Sequence, residues 1–111
     1  MARYLVQLAY TPEAWANLLK NPQNRLDSAA DVAESLGGSF ESAYLAFGEY
    51  DVVVMLHLPD NISAAAASMV FSAGGAIRAI KTTPLIDIVP DGVEAMRKGR
   101  AVAATYQPPR A

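Results

Sequence analysis

Cysteine is absent from this chain of 111 residues, and histidine occurs only once, at His57. Without cysteine the protein can form no disulfide, no thiolate nucleophile and no cysteine metal site. The carboxylates show no spacing typical of metal ligands, so we expect no metal site. A chain without disulfides is compatible with a reducing compartment, and the cytoplasm is the location we expect.

Charge is also scarce, at 18% of residues with a net charge of −2. Binding to nucleic acid requires a basic surface, so this class of partner is excluded. The longest uncharged stretch, residues 61–77, is rich in alanine, serine and glycine. It is too short and too polar for a transmembrane segment, and the first ten residues lack the apolar core of a signal peptide. We therefore expect no contact with a membrane.

Apolar residues are abundant instead, making up 52% of a chain that is long enough for one domain. A domain of this size buries only about two-thirds of its unfolded surface. The surplus of apolar residues therefore predicts a further buried surface, formed with a second copy of the chain.

The pattern along the chain predicts a βαββαβ order. Alternation over residues 3–10 indicates a strand, and Thr11-Pro12 is typical of a helix start. Asn21-Pro22 interrupts this helix, and a second helical stretch ends at Gly37-Gly38. The pattern then predicts two strands, over residues 39–47 and 50–58, joined by a tight turn at Gly48-Glu49.

The second half of the chain continues the pattern. Asp60 is expected to cap a helix whose inward face is predicted from its spacing as Ile62, Ala65, Ala66, Met69 and Val70. Residues 77–89 carry a fourth strand. Asp91 and Glu94 suggest a capping box for a last short helix, followed by an extended tail. We divide the chain into a domain of residues 1–90 and a C-terminal segment of residues 91–111.

This order predicts an α+β, ferredoxin-like fold: a four-stranded antiparallel sheet with the helices on one face, and an extra C-terminal helix. The purely apolar positions of the first and third strands should lie under the helices: Tyr4, Val6, Leu8, Val52, Val54, Leu56 and Leu58. The other face mixes apolar and polar groups: Arg3, Leu5, Gln7, Asp51, Val53, Met55 and His57. A face exposed to solvent would carry fewer large apolar side chains, and a buried core would carry fewer polar ones. We therefore expect a second copy of the chain to cover this face.

Three segments also carry a family likeness: RYLVQLAYT, LGGSFESAYLAFGEYDVVV and AIRAIKTTPL. Over residues 3–88 the chain resembles the GYD-domain family, named for a Gly-x-Tyr-Asp hairpin that Gly48, Tyr50 and Asp51 match. The resemblance implies a dimeric α+β barrel. It implies no activity, because the family has no established biochemical role. The chain is also similar in fold to the effector domains of leucine-responsive-type regulators and to small antibiotic-biosynthesis-type monooxygenases, and fold alone implies no function.

Polar groups on the strands are the candidate ligand-binding residues: Gln7, Tyr44, Asp51, His57 and Lys81. His57 is also the candidate catalytic base or haem ligand. Asp51 and His57 lie on one strand about 20 Å apart, so they cannot form a dyad within one chain. In the expected sheet His57 would neighbour Arg3 or Leu5, and Asp51 would lie near Tyr10. Each polar group has a structural alternative, such as Gln7 bonding its symmetry mate.

A pocket between sheet and helices, walled by Tyr10, Trp15 and the break at Pro22, is a further possibility beside a plain aromatic core. The leading functional hypothesis is a small-molecule-binding or regulatory homodimer without a cofactor. One alternative is a small cofactor-free or haem-dependent monooxygenase or isomerase that uses His57 and Gln7. A second is a structural subunit whose surfaces serve oligomerisation.

Overall fold

The computed structural model describes residues 1–110; Ala111, the last residue of the predicted C-terminal segment, lies outside the described residues. The elements are β1 (Ala2–Tyr10), α1 (Pro12–Lys20), α2 (Leu26–Ser35), β2 (Ser39–Leu45), β3 (Val52–Leu58), α3 (Asn61–Ala73), β4 (Ile77–Leu85) and α4 (Val93–Val102). The strands form one antiparallel sheet in the order β2-β3-β1-β4. The predicted α+β, ferredoxin-like fold is therefore confirmed.

Local capping signals determine where the first two helices begin and end. The Thr11 side chain accepts a hydrogen bond from the Ala14 amide at 3.1 Å, which satisfies one free donor of the first turn of α1. After α2, Gly37 adopts a left-handed φ of +83°, and the Gly38 amide donates to the Ala33 carbonyl at 2.9 Å. This turn satisfies the last carbonyls of α2 and leads the chain into β2.

The core lies where the sequence predicts it, between one face of the sheet and α2 and α3. Its largest fully buried side chains are Tyr4, Leu56 and Leu58. The two helices approach the strands through small residues, Ala33 on α2 and Ala64 and Ala67 on α3. Alanine at these positions lets each helix backbone lie close to the strands.

The opposite face of the sheet is the one predicted to be open. Its central side chains are only half-buried: Leu5, Gln7, Val53, Met55 and His57. Helices α1, α2 and α3 all pack on the other face. We call this half-buried surface the open face, and its mixed composition matches the prediction.

The hairpin between β2 and β3 is longer than predicted. β2 ends at Leu45 rather than at residue 47, and β3 begins at Val52 rather than at residue 50. The Ala46 amide donates to the Asp51 carbonyl, and the Asp51 amide donates to the Leu8 carbonyl. The first bond closes the base of the loop between the two strands, and the second ties the loop to β1. The prediction of a tight turn at Gly48-Glu49 is therefore wrong. Gly48 is also not one of the glycines with a positive φ.

The inward face of α3 was also predicted wrongly. Ile62, Met69 and Val70 are 82%, 69% and 52% exposed, whereas Ala64 and Ala67 are buried. Because α3 is apolar on nearly every side, its spacing fits more than one inward stripe, and the stripe with the smaller side chains packs closer to the sheet. Neither α3 nor any other helix in residues 1–110 has the length and apolarity needed to cross a membrane.

The C-terminal segment extends away from the rest of the chain. Between residues 86 and 110, only Gly92 and Val93 are even half-buried. The radius of gyration is 17.7 Å, and the longest dimension is 58 Å. A compact chain of this length would have a radius of gyration of about 13 Å. We call residues 86–110 the C-terminal arm.

Two local predictions in this arm were wrong. β4 ends at Leu85, so residues 86–89 do not continue the strand. The predicted capping box does not form, because Gly92 is the N-cap of α4 without any side-chain hydrogen bond. Glu94 instead pairs with Arg97, one turn further along α4, at 3.2 Å.

Candidate functional site

A wide apolar cleft lies on the helical side of the sheet, between the α1–α2 segment and the end of α3. It measures about 840 Å³. The strands form its floor and the helices its walls, with apolar side chains that include Leu8, Leu18, Val32, Val54, Phe71 and Ile77. The cleft exists because the chain breaks at Asn21-Pro22, so α1 and α2 do not close over the sheet as one continuous helix.

Two aromatic rings form one wall of this cleft. Tyr10 and Trp15 pack edge to face, with ring centroids 5.2 Å apart and an interplanar angle of 78°. Both rings line the cleft. The aromatic pocket that the sequence left open beside a plain core is therefore present.

Asp51 holds this aromatic wall in position. Its Oδ2 accepts a hydrogen bond from the Tyr10 amide at 2.8 Å and another from the Trp15 indole Nε1 at 3.2 Å. One carboxylate thus ties the β2–β3 loop to the end of β1 and to α1. The predicted proximity of Asp51 to Tyr10 is confirmed, but the carboxylate bonds to α1 instead of lying on the open face.

Arg25 is the one charged side chain among the described residues that line the cleft. It takes part in no ion pair or side-chain hydrogen bond within residues 1–110. Burial raises the pKa of the Tyr10 hydroxyl above its ordinary value, and the nearby Arg25 guanidinium opposes this rise. The cleft therefore combines apolar walls with one free positive charge.

A second group of functional side chains lies at one end of the open face. Glu41 Oε1 is 2.6 Å from His57 Nε2 and 3.1 Å from Arg3 Nε. Arg3 lies directly opposite His57 in the β1–β3 register, and a bulge after Phe40 brings Glu41 beside both. Asp87 lies 3.8 Å from the Arg3 guanidinium on its other side.

The electrostatics of this group favour an ionised Glu41. The hydrogen bond from His57 is the main cause that lowers the pKa of the Glu41 carboxyl, and the positive charge of Arg3 acts in the same direction. A carboxylate that holds one imidazole nitrogen fixes the orientation of the ring. His57 and Glu41 are therefore arranged as a base and its orienting group.

A third feature is a small depression near the middle of the open face. It measures about 310 Å³, and Gln7, Tyr50 and Lys81 line it together with the β2–β3 loop. Gln7 and Lys81 are direct partners in the β1–β4 register. The depression is polar and shallow compared with the cleft on the helical side.

The structure brings together only two of the five predicted ligand-binding residues, Gln7 and Lys81. Tyr44 is 66% exposed on β2, opposite Val53, and lines the apolar cleft on the helical side. His57 lies four positions along β3 from the partner of Gln7, which is a distance of about 13 Å. Asp51 is bound to α1 in the helical layer.

Sequence reasoning missed Glu41 and Arg25. Glu41 had a usable signal, since it is an acidic residue on the strand expected to pair with the strand that carries the only histidine. Arg25 had none, because it lies between two helices in a stretch without a pattern. Within residues 1–110, no three His, Asp or Glu side chains come close enough together to hold a metal ion.

Comparison with known proteins gives a clear family and a weak structural likeness. No curated protein sequence matches the chain. The solved structure of FFRP-DM1 is similar at 16% identity, with 78% of this chain and 100% of that chain covered and a TM-score of 0.48. The protein TTHA0845 from Thermus thermophilus gives 16% identity, coverage of 81% and 99%, and a TM-score of 0.48.

An uncharacterized NIPSNAP domain protein from Burkholderia xenovorans gives 13% identity, coverage of 81% and 97%, and a TM-score of 0.49. The decisive comparison is with family models. The model described as GYD domain matches residues 4–95, which is most of the chain and includes the hairpin with Gly48, Tyr50 and Asp51. The chain belongs to the GYD-domain family.

Proposed function

We propose that this protein is a small-molecule-binding homodimer and that its ligand is mainly apolar, with one acidic group. The observation that carries the proposal is the apolar cleft, whose one charged lining residue is the unpaired Arg25. A volume of about 840 Å³ falls in the range of ordinary ligand pockets. An arginine at the edge of apolar walls would pair with a carboxylate while the rest of the ligand leaves water.

The ligand site is tested with decanoic acid and decanol as probes, by thermal unfolding and by the fluorescence of Trp15, the only tryptophan. At ten times its dissociation constant, a ligand stabilises the fold by about 1.4 kcal/mol. We expect decanoate to raise the unfolding temperature more than decanol. Arg25→Gln should remove this preference, while Lys20→Gln, which alters an exposed charge outside the cleft, should keep it.

A second pair of variants tests the location. Ala14 lines the cleft, whereas Ala16 on the same helix is exposed and does not. Ala14→Phe should fill the cleft and abolish binding, and Ala16→Phe should bind like the unmodified protein. Equal binding by both variants, with circular dichroism showing both folded, would place the ligand elsewhere and refute the proposal.

The homodimer would form through the open face, which exposes Leu5, Val53 and Met55 in part and carries polar groups beside them. Two sheets packed face to face would bury this surface. Met55→Glu introduces a charge at its centre and should weaken the self-association measured by sedimentation velocity. Leu19→Glu, an equal change on the exposed side of α1, should leave the mass unchanged. A monomeric unmodified protein at micromolar concentration would contradict the dimer.

A second candidate function rests on the contact of 2.6 Å between Glu41 and His57. An imidazole held by a carboxylate could act as a general base in a cofactor-free monooxygenase or isomerase. In the haem-dependent form of this alternative His57 would be the axial ligand, yet Glu41 already engages its Nε2. Haem titration followed by absorbance, with His57→Ala as control, tests the haem form. Loss of turnover in both His57→Gln and Glu41→Gln would support the base.

A further inference from the structure

The C-terminal arm carries six of the fifteen large apolar side chains that are exposed in residues 1–110. Its exposed large side chains are Ile86, Ile88, Val89, Met96, Val102 and Tyr106, each at least 57% exposed. The helix at its centre has only ten residues and includes Gly99. An isolated helix this short is marginally stable in water, so α4 requires a packing partner.

One side of α4 is suited to packing against another helix. Ala95, Met96, Gly99 and Val102 recur at helical spacing and form an apolar stripe with small residues at its centre. Lys98 and Arg100 flank this stripe, and neither forms an ion pair within residues 1–110.

The charge of the arm is opposite to that of the rest of the chain. The arm, residues 86–110, carries four basic and three acidic side chains, whereas residues 1–85 carry five basic and eight acidic side chains. Within the arm, α4 itself carries three basic side chains and one acidic side chain. The two parts therefore attract each other, and the body of a second copy offers the same complementary surface as the body of its own chain.

The helical layer of the body offers both kinds of surface that α4 requires. On α3, Ile62 and Met69 are exposed on the side away from the sheet, whereas Val70 lines the apolar cleft. On the adjacent α2, Asp27, Asp31 and Glu34 fall on one exposed face at helical spacing, and none forms an ion pair within the described residues. An apolar stripe thus runs beside an acidic one.

We infer that α4 of one chain docks on the helical layer of a second copy, with its apolar stripe on α3 and one of its two basic flanks toward the carboxylates of α2. Docking would cover Met96 and Val102 together with Ile62 and Met69, which are all exposed within one chain. It would also bring the basic side chain of the flank that faces α2, Lys98 or Arg100, beside Asp27 and Asp31. This assignment goes beyond the proposed function, because it requires no ligand and does not use the open face.

The absence of native cysteine makes a disulfide test direct. Val102→Cys is introduced into a full-length chain enlarged by a tag, and Met69→Cys into an untagged chain; the two are mixed and oxidised mildly. We expect a cross-linked species with the summed mass of the two chains on a non-reducing gel. Ala101→Cys, one residue away on the outer side of α4, is the matched control and should give much less of this product.

Three results would overturn the inference. One is no mixed cross-link, and another is equal yields from Val102→Cys and Ala101→Cys. The third is a double variant, Met69→Cys with Val102→Cys, that closes an intramolecular disulfide with no change of mass, since the arm would then fold back on its own body.

The acidic partner is tested by charge reversal in the same assay. Lys98→Glu with Arg100→Glu should lower the cross-link yield several-fold at low salt. Asp27→Lys with Asp31→Lys in the untagged chain should restore it. A yield that is unaffected by either reversal would overturn the assignment of α2. Because the assay contains no ligand, its failure is distinguishable from failure of the ligand proposal.

Discussion

Replacing Asp51 with alanine would remove the shared acceptor of two donors in different parts of the fold. The Tyr10 amide and the Trp15 indole both donate to Asp51 Oδ2, at 2.8 and 3.2 Å. Neither donor has a second acceptor among the hydrogen bonds of residues 1–110 that would replace the carboxylate. The loss would therefore reach beyond the hairpin, to the end of β1 and to the position of α1.

The magnitude follows from these two bonds. A hydrogen bond to a charged group contributes about 1.5–3 kcal/mol. Asp51 is only half-buried, so water can replace part of each bond, and the low end of the range applies. We expect Asp51→Ala to lower the free energy of unfolding by about 2–3 kcal/mol. Asp51→Asn, which keeps an acceptor oxygen, should cost about 1 kcal/mol.

The assay is urea unfolding followed by far-ultraviolet circular dichroism, since the fluorescence of Trp15 is altered by the substitution itself. Glu49→Ala, on an exposed side chain two residues away, is the matched control and should change the stability by less than about 0.5 kcal/mol. In a Trp15→Phe background the indole hydrogen bond is already absent. Asp51→Ala should therefore lower the free energy of unfolding by less, and the difference is the contribution of that bond. An Asp51→Ala variant as stable as the Glu49→Ala control would refute the reasoning.

Three further predictions concern a close backbone contact, a titratable group and a helix cap. Gly38→Ala would place a Cβ in steric clash with the His57 carbonyl oxygen, so we expect a loss of about 3 kcal/mol in the free energy of unfolding or failure to fold. Gly48→Ala, with open space around it, should fold normally. The pKa of Glu41 is lowered in the folded state, so its stabilisation is present above its ordinary pKa and is lost as the pH falls through the folded value. Glu41→Gln should therefore weaken the dependence of stability on pH in the acid range, and an unchanged pH profile from urea titrations would contradict this. Thr11→Ala should lower the free energy of unfolding, measured by calorimetry, by about 1 kcal/mol, and Thr11→Ser should lower it much less because serine keeps the hydroxyl. Equal losses in the two variants would exclude a capping role for Thr11.

The sequence predicted the fold well wherever local chemistry and burial favoured the same structure. Val54 and Leu56 belong to a purely aliphatic set that alternates with a mixed set containing Met55 and His57, and this difference correctly identified the two faces of β3. Thr11 and Asp60 cap α1 and α3 as expected, each accepting from a backbone amide three residues later. At these positions nothing distant competes with the local preference.

The errors occur where the local pattern is ambiguous or a distant partner decides. α3 is apolar on nearly all sides, so its spacing could not determine which stripe faces the sheet. The hairpin depends on Asp51, whose backbone and side chain bond to Leu8, Tyr10 and Trp15. Such contacts lie far away in sequence and leave no periodic signal.

The candidate site was predictable only in part, for the same reason. The pairing of Gln7 with Lys81 and of His57 with Arg3 follows from the strand order. The contact between Glu41 and His57 depends on a bulge in β2, and the cleft depends on the angle at which the chain turns after Lys20. Neither the bulge nor the angle can be derived from residue types alone.

The surplus of apolar residues is located more precisely by the structure than by composition. On the open face, Leu5, Val53 and Met55 are already half-buried by their neighbours in the sheet. Several more exposed large apolar side chains lie elsewhere, on the outer side of α3 and along the C-terminal arm, as Ile62 at 82% and Ile88 at 75% illustrate. A dimer formed only through the open face would leave these side chains in water. Burying them requires contact between the arm and another helical surface, so an assembly should persist in part after Met55→Glu has separated the sheets.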